Sequence, residues 1–297
     1  MILHLLKMTR PVNIVIAMVT LAIGYYLLSA MPTQSAGISW TTLILQSIGF
    51  AFAIGFANIQ NDILDLDSDR LNRPERPLVS GKVSVTVARR AWIILIVLTV
   101  ICGIAESLVT QTGFTSTLFF ILLSLVLIAY NKWLKHIPLL KNMTVAFLCA
   151  TPLILCLFYP TGYKETEDFA MDITDKVGFL YPAMLFAFLL TTSREIYKDL
   201  EDETGDLKAG IMTFPLIAGT KTARRLAAFI TIFCWAILPL PVVQGYYPML
   251  FLYITGAAFT PILAAILVFA HKRNYRRAQK LVKVAMFAGL VALVVSC

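Results

Sequence analysis

Charge is what this chain has least of. Only 14% of its 297 residues are Asp, Glu, Lys or Arg, against about 25% in a typical soluble domain. An ordinary soluble globular fold is therefore excluded. Histidine is scarce, at three residues, and there are five cysteines: Cys102, Cys149, Cys156, Cys234 and Cys297. All five sit in apolar segments, and none makes a C-x-x-C pair or a zinc-type spacing. That excludes a disulfide framework and a transition-metal centre, and it predicts thiols packed as small hydrophobes. Linkers and low-complexity stretches are also missing, so one membrane domain is expected to span residues 1–297. The N-terminal stretch Met1–Arg10 leads into an apolar run that is too long for a secretory leader. It reads instead as the approach to a first membrane helix.

What the chain does have is apolar length: 59% of its residues are hydrophobic. A bilayer core needs about 20 apolar residues per helix. Nine segments qualify, at roughly 11–30, 40–60, 87–108, 114–131, 142–160, 178–194, 225–243, 248–270 and 279–296. Basic residues favour the cytoplasmic side of a membrane. With the N-terminus inside, only Lys164 and Lys176 of the 25 Lys and Arg fall outside. The expected fold is an all-α integral membrane bundle of nine helices with a cytoplasmic N-terminus. It would lie in the cell's inner membrane, with the site facing the cytoplasm. Nucleic acid is not an expected partner.

Most of the 17 acidic residues gather in two places. The first is Asn61-Asp62-x-x-Asp65-x-Asp67-x-Asp69, after span two. The second is Asp199-x-x-Asp202-x-x-x-Asp206, after span six. Steps of four keep Asn61, Asp65 and Asp69 on one helical face, about 6 Å apart per step. Asp62 lies at the edge of that face and Asp67 points elsewhere. Asp199, Asp202 and Asp206, at i, i+3 and i+7, share another face, and Gly205 is expected to loosen the helix there. Stacked carboxylates repel one another, so a cation is needed to offset them. Mg²⁺ suits an all-oxygen donor set completed by phosphate and water. Two such clusters on one side of the membrane are expected to serve one polyphosphate.

Basic residues beside the clusters supply the opposite charge. Arg73 lies in Asn72-Arg73-Pro74-Glu75-Arg76-Pro77, Arg194 and Lys198 precede the second cluster, and Lys132 and Lys135 follow span four. Arg73, Arg194, Lys198 and Lys135 are candidate phosphate ligands. Tyr130 and Phe56 are candidates to face a carbocation. Glu106, near the outer end of span three, is expected to be an interfacial carboxylate.

These motifs resemble those of the UbiA superfamily of intramembrane prenyltransferases. Asn61-Asp62-x-x-Asp65-x-x-x-Asp69 is similar to its first metal motif, and Asp202-x-x-x-Asp206 to its second. The flanks Asp69–Gly81 and Arg194–Asp206 look like the digeranylgeranylglyceryl-phosphate synthase branch. Leu64, Ala57-Asn58 and Thr213-Phe214-Pro215 depart from the usual family residues, at positions expected to touch acceptor and chain-length preference.

The resemblance implies Mg²⁺-dependent transfer of a prenyl group, expected to be geranylgeranyl, from prenyl diphosphate. The implied metal ligands are Asn61, Asp65, Asp69, Asp202 and Asp206, with Asp62 and Asp199 assisting. Asp65, Asp69, Asp202 and Lys198 would carry the chemistry, and Arg73, Arg194, Lys198, Lys135 and Tyr130 would bind substrate. The expected acceptor is a glycerol-phosphate prenyl ether, in lipid biosynthesis. An aromatic or chlorophyll-type acceptor is the alternative. A cation-coupled transporter is the rival from another class, although transporter sites sit near the bilayer midplane on broken helices, and these acids sit at helix ends.

Overall fold

The structure is a computed structural model, and it describes residues 1–30, 39–110, 114–158 and 166–296. Among the described residues the regular structure is helical throughout. In chain order the helices are α1 (Ile2–Met8), α2 (Pro11–Ser29), α3 (Trp40–Leu64), α4 (Leu66–Asn72), α5 (Val85–Thr110), α6 (Thr115–Lys132) and α7 (Leu140–Cys156). They continue with α8 (Thr166–Lys208), α9 (Phe214–Ala218), α10 (Thr220–Ala236), α11 (Leu240–Val243), α12 (Met249–His271) and α13 (Tyr275–Ser296). Among the described residues, eight stretches are long and apolar enough to cross a membrane: α2, α3, α5, α6, the Lys176–Lys208 part of α8, Thr220–Val243, α12 and α13. The expected span at 142–160 corresponds to α7. That helix has 17 residues, at the lower end of the roughly 17–25 that can span. Lys164, one of the two basic residues assigned to the outer side, lies outside the described residues, as does Cys297.

The chain divides into two compact units. The first runs through Leu134 and holds α1 to α6, except that α2 from Tyr26 onward groups with the second; the second holds α7 to α13. In the first, α3 packs along α5 and α6. Gly49 of α3 allows the close approach. A Cβ there would lie 2.5 Å from the Phe120 ring of α6. Phe120 and Phe50 are fully buried and meet edge to face, with ring centroids 5.6 Å apart.

Polar contacts lock the same helices. Asn131 Nδ2 of α6 donates to Ala57 O at 2.8 Å and to Gln60 Oε1 at 2.9 Å, both on α3. Glu106 departs from its expected interfacial place: it is buried, at 1% exposure. Gln46 Nε2 donates to it at 3.2 Å, and Tyr25 Oη donates to Gln46 Oε1. A carboxylate in the apolar part of a membrane protein is costly unless it is hydrogen-bonded. The partners come from α2 and α3, so the interaction ties three helices of the unit together.

In the second unit α8 is the central element, packed against α7, α10 and α13. Leu190, Ile196, Tyr197 and Leu200 of α8 share a core with Ala223 and Ala227 of α10 and with Ala278, Val282 and Ala285 of α13. Small residues on α10 and α13 let the helix backbones approach closely. Ser193 Oγ and Thr231 Oγ1 add a buried contact at 2.8 Å between α8 and α10. Of the four described thiols, Cys102, Cys156 and Cys234 are buried, as expected, and Cys149 is exposed on the surface of α7.

Candidate functional site

The first carboxylate cluster sits at a break between two helices. α3 ends at Leu64, and Asp65 (φ −93°, ψ 9°) is both its C-cap and the N-cap of α4. The hydrogen-bond ladder continues across the break. Asp65 N–H donates to Asn61 O at 2.9 Å, Asp69 N–H to Asp65 O at 2.8 Å, and Arg73 N–H to Asp69 O at 2.8 Å. The motif therefore keeps its four-residue spacing while the chain bends. α4 stops at Asn72, because Arg73 precedes Pro74 and proline disfavours helical geometry in the residue before it. Arg73 accordingly leaves the helical region (φ −147°, ψ 62°).

Arg76, three residues beyond the Arg73 singled out from sequence, engages this cluster. Arg76 Nη1 lies 3.1 Å from Asp62 Oδ1 and contacts Asp69 Oδ2. Asp62 and Asp69 are both buried, and the Arg76 side chain is only 15% exposed. Arg73 is exposed. Arg10 Nη2 reaches the same Asp62 oxygen at 3.4 Å. Arg10 stands at φ 55°, a left-handed conformation that costs a non-glycine residue about 1–2 kcal/mol. That residue makes the turn from α1 into α2. Asn58 Nδ2 holds the turn to α3 by donating to Thr9 O at 3.1 Å. Asn61 and Asp65 are half-buried, while Asp67 is exposed and pairs with Arg70 at 2.9 Å. Tyr130 and Lys135, at the end of α6 and in the short 3₁₀ turn after it, are half-buried.

The second cluster lies on an unbroken helix. α8 runs to Lys208, so Gly205 is helical and the expected loosening there does not occur. The helix stops at Gly210 (φ 68°), whose N–H donates to Leu207 O at 3.2 Å while Ile211 N–H donates to Asp206 O at 2.9 Å. This is a Schellman closure, which needs a left-handed residue at that point. Gly210 supplies it, and Gly205 costs the helix interior only about 1 kcal/mol.

Two residues of α7, not singled out from sequence as site residues, engage Asp199. Lys141 Nζ lies 2.8 Å from Asp199 Oδ1, and Asn142 Nδ2 donates to Asp199 Oδ2 at 2.9 Å. Asp199 is 4% exposed. Asp206 is half-buried and within electrostatic reach of Lys141, Asp199, Asp202 and Lys198. Asp202 is exposed. Arg194 and Lys198 turn toward Glu195: Arg194 Nη1 contacts Glu195 Oε1, and Lys198 Nζ is 3.8 Å from Glu195 Oε2. Within the second unit Lys141 thus holds Asp199 and lies within electrostatic reach of Asp206, which also senses Asp202, while Arg194 and Lys198 group around Glu195. The only available signals for Lys141 and Asn142 were a cation and an amide at the head of an apolar segment, which most such segments have.

Among the described residues, no three His, Cys, Asp or Glu side chains converge as a ready-made metal cage. The chemistry of the donors nevertheless fits a hard divalent cation. Asp62 and Asp69 already converge on one positive charge, the Arg76 guanidinium. All the candidate ligands are oxygen donors. Mg²⁺ binds through one or two carboxylates plus substrate phosphate and water, rather than in an all-protein cage.

Comparison with known proteins identifies the sequence pattern. The profile of the UbiA prenyltransferase family matches residues 15–291. The digeranylgeranylglyceryl phosphate synthase of Methanosarcina mazei is 32% identical, over 89% of this chain and 83% of its own length. That of Methanobrevibacter smithii is 28% identical, over 97% of this chain and 96% of its own. The fold matches a solved structure described as concerning digeranylgeranylglyceryl phosphate synthase in membranes, with a TM-score of 0.76 at 23% identity, covering 99% of this chain and 98% of the other. It also matches a UbiA homologue from Archaeoglobus fulgidus bound to GPP and Mg²⁺, with a TM-score of 0.67 at 18% identity, covering 98% and 99%.

Proposed function

The chain belongs to the UbiA prenyltransferase family, and on that premise we propose that it transfers a geranylgeranyl group from prenyl diphosphate to the hydroxyl of a glycerol-phosphate prenyl ether. The enzyme is a prenyltransferase embedded in a membrane. The observation that carries the finer reading is the similarity over nearly the whole chain to enzymes named digeranylgeranylglyceryl phosphate synthase. That similarity sets aside the transporter and favours a phosphorylated acceptor over an aromatic one.

Asn61, Asp65, Asp69, Asp202 and Asp206 are the proposed Mg²⁺ ligands. When bound, the metal would neutralise charge on the leaving diphosphate. Asp62 and Asp199 have a second role beside that one: each is buried with a protein cation, and each holds that cation at the edge of its cluster. Lys198, Arg194, Arg73, Lys135 and Tyr130 are the proposed substrate contacts, and Arg76 and Lys141 join them. Cleavage of the allylic C–O bond leaves its electron pair on diphosphate. The acceptor hydroxyl oxygen bonds to the allylic carbon and releases its proton. Apolar helices around the prenyl chain keep water from taking the acceptor's place. We further propose that both units act as one domain, with the N-terminus and both clusters on the cytoplasmic side.

An acceptor screen on the purified chain, with labelled geranylgeranyl diphosphate, tests this. Product is expected with the glycerol-phosphate ether, and transfer is expected to stop in excess EDTA and return with Mg²⁺. Preferred prenylation of a quinone or chlorophyll precursor would overturn the acceptor assignment.

A further inference from the structure

α8 carries two polar faces, and they meet different helices. An α-helix turns about 100° per residue, so Lys198 points about 100° away from Asp199. The Asp199 face meets α7, where Lys141 and Asn142 hold that carboxylate. The other face, with Arg194, Lys198 and Glu201, lies along α13. Gln279 Nε2 of α13 donates to Glu201 Oε2 at 2.6 Å, and Arg276 Nε is 3.9 Å from Glu201 Oε1. About one turn further along α13, Lys283 is within electrostatic reach of Arg194, Glu195, Lys198 and Lys280.

The charges on this face do not balance. Arg194 and Lys198 contact one carboxylate, Glu195, which is 7% exposed, and Lys283 lies within electrostatic reach of all three and of Lys280. Glu201 is already engaged by Arg276 and Gln279. Like charges held this closely, beside a low-dielectric interior, repel strongly. Arg194 also keeps a donor in reserve: its Nε is buried and has no hydrogen-bond partner. A buried guanidinium N–H without a partner costs free energy that an anion would recover. Lys283 is itself exposed, so the cluster can be reached from outside the unit.

The geometry points to a phosphomonoester subsite formed by Arg194, Lys198 and Lys283 on the α13 side of α8, which takes the phosphate of the acceptor. The carboxylate face of α8 is left for the metal and the diphosphate. A phosphomonoester carries about −1.5 to −2 charge near neutral pH, enough to offset much of the excess. Arg194 presents a forked donor suited to phosphate, and the two lysines act as point charges. This assignment rests on the proposed prenyl transfer to a glycerol-phosphate ether, and it names the residues that distinguish that acceptor from an uncharged one.

The test uses the full chain in nanodiscs of neutral lipid, with Mg²⁺ present. Direct binding and transfer kinetics are measured with geranylgeranylglycerol phosphate and with the corresponding dephosphorylated alcohol. Phosphatidic acid serves as a competing phosphomonoester from the bilayer. Lys283→Gln is expected to weaken binding of the phosphorylated ether about tenfold. KM for that acceptor should rise to match, while KM for prenyl diphosphate and binding of the alcohol stay as in the wild type. Lys283→Arg should restore binding. Because Lys283 is exposed, Lys283→Gln is expected to fold. The subsite is overturned if Lys283→Gln raises KM for prenyl diphosphate instead, or if the alcohol is affected as much as the phosphorylated ether. Competition by phosphatidic acid as tight as binding of the ether would overturn the acceptor assignment in favour of a lipid headgroup. Binding through Lys283 with no transfer from any donor would sink the proposed reaction and leave the subsite standing. Transfer with binding indifferent to Lys283 would do the reverse.

Discussion

Replacing Lys141 with methionine should destabilise the second unit while keeping most of the volume and the apolar stem of the side chain. Lys141 Nζ is 2.8 Å from Asp199 Oδ1, and the two side chains are 20% and 6% exposed. At an effective dielectric constant of about 20, unit charges at that separation attract by roughly 6 kcal/mol. Desolvation of both groups cancels much of this in the intact protein. Truncating one partner is different, because the Asp199 carboxylate stays buried and loses its counter-charge. Removing one member of a buried pair costs about 3–5 kcal/mol. The Asn142 amide, at 2.9 Å, remains and keeps a charge-assisted hydrogen bond, so the lower end, about 3 kcal/mol, is expected. Unfolding by SDS in mixed micelles measures the loss. A cycle with Asp199→Asn isolates the pair, and a coupling energy above about 1 kcal/mol is expected. Asp199→Asn alone should cost less than Lys141→Met, because Lys141 is the more exposed partner and can turn toward water. If Lys141→Met leaves stability within about 0.5 kcal/mol of wild type, or if the two changes simply add, then Asp199 is not held by this pair.

Asp65→Ala should abolish prenyl transfer, whereas Asp67→Ala, at an exposed carboxylate paired only with Arg70 at the surface, should reduce it less than about threefold. Equal losses in parallel assays would refute the placement of Asp65 on the ligand face. Gly49→Ala should lower stability by about 1–3 kcal/mol, because its Cβ would lie 2.5 Å from the fully buried Phe120 ring. A further Phe120→Leu change should recover part of that loss, and no recovery would show that the strain lies elsewhere. Single cysteines near residues 82, 208 and 276, in a background without the native thiols, should be labelled by an impermeant reagent from the cytoplasmic side only, and one near residue 164 only from outside. Labelling of 82 and 208 from opposite sides would remove the basis for a shared diphosphate.

The sequence by itself determined the class of protein, the position of its apolar helices and the spacing of its carboxylates, because each of these is a local property of the chain. Hydropathy over about 20 residues decides whether a segment can cross a bilayer, and α2, α3, α5, α6, α12 and α13 begin and end within a few residues of the expected spans. The four-residue steps from Asn61 to Asp69 survive in the backbone ladder even where α3 breaks at Asp65. Tertiary structure alone decided which charge answers which. Asp199 is answered by Lys141, 58 residues away, because α7 packs beside α8. Glu106 is buried where Gln46 of α3 reaches it, and Gln46 is in turn held by Tyr25 of α2. Arg76 rather than Arg73 turns back to Asp62 and Asp69, because the chain reverses direction through Pro74 and Pro77. The charge on each of these residues is written in its own side chain. The partner that makes burying that charge affordable comes from another helix, and only packing brings it there.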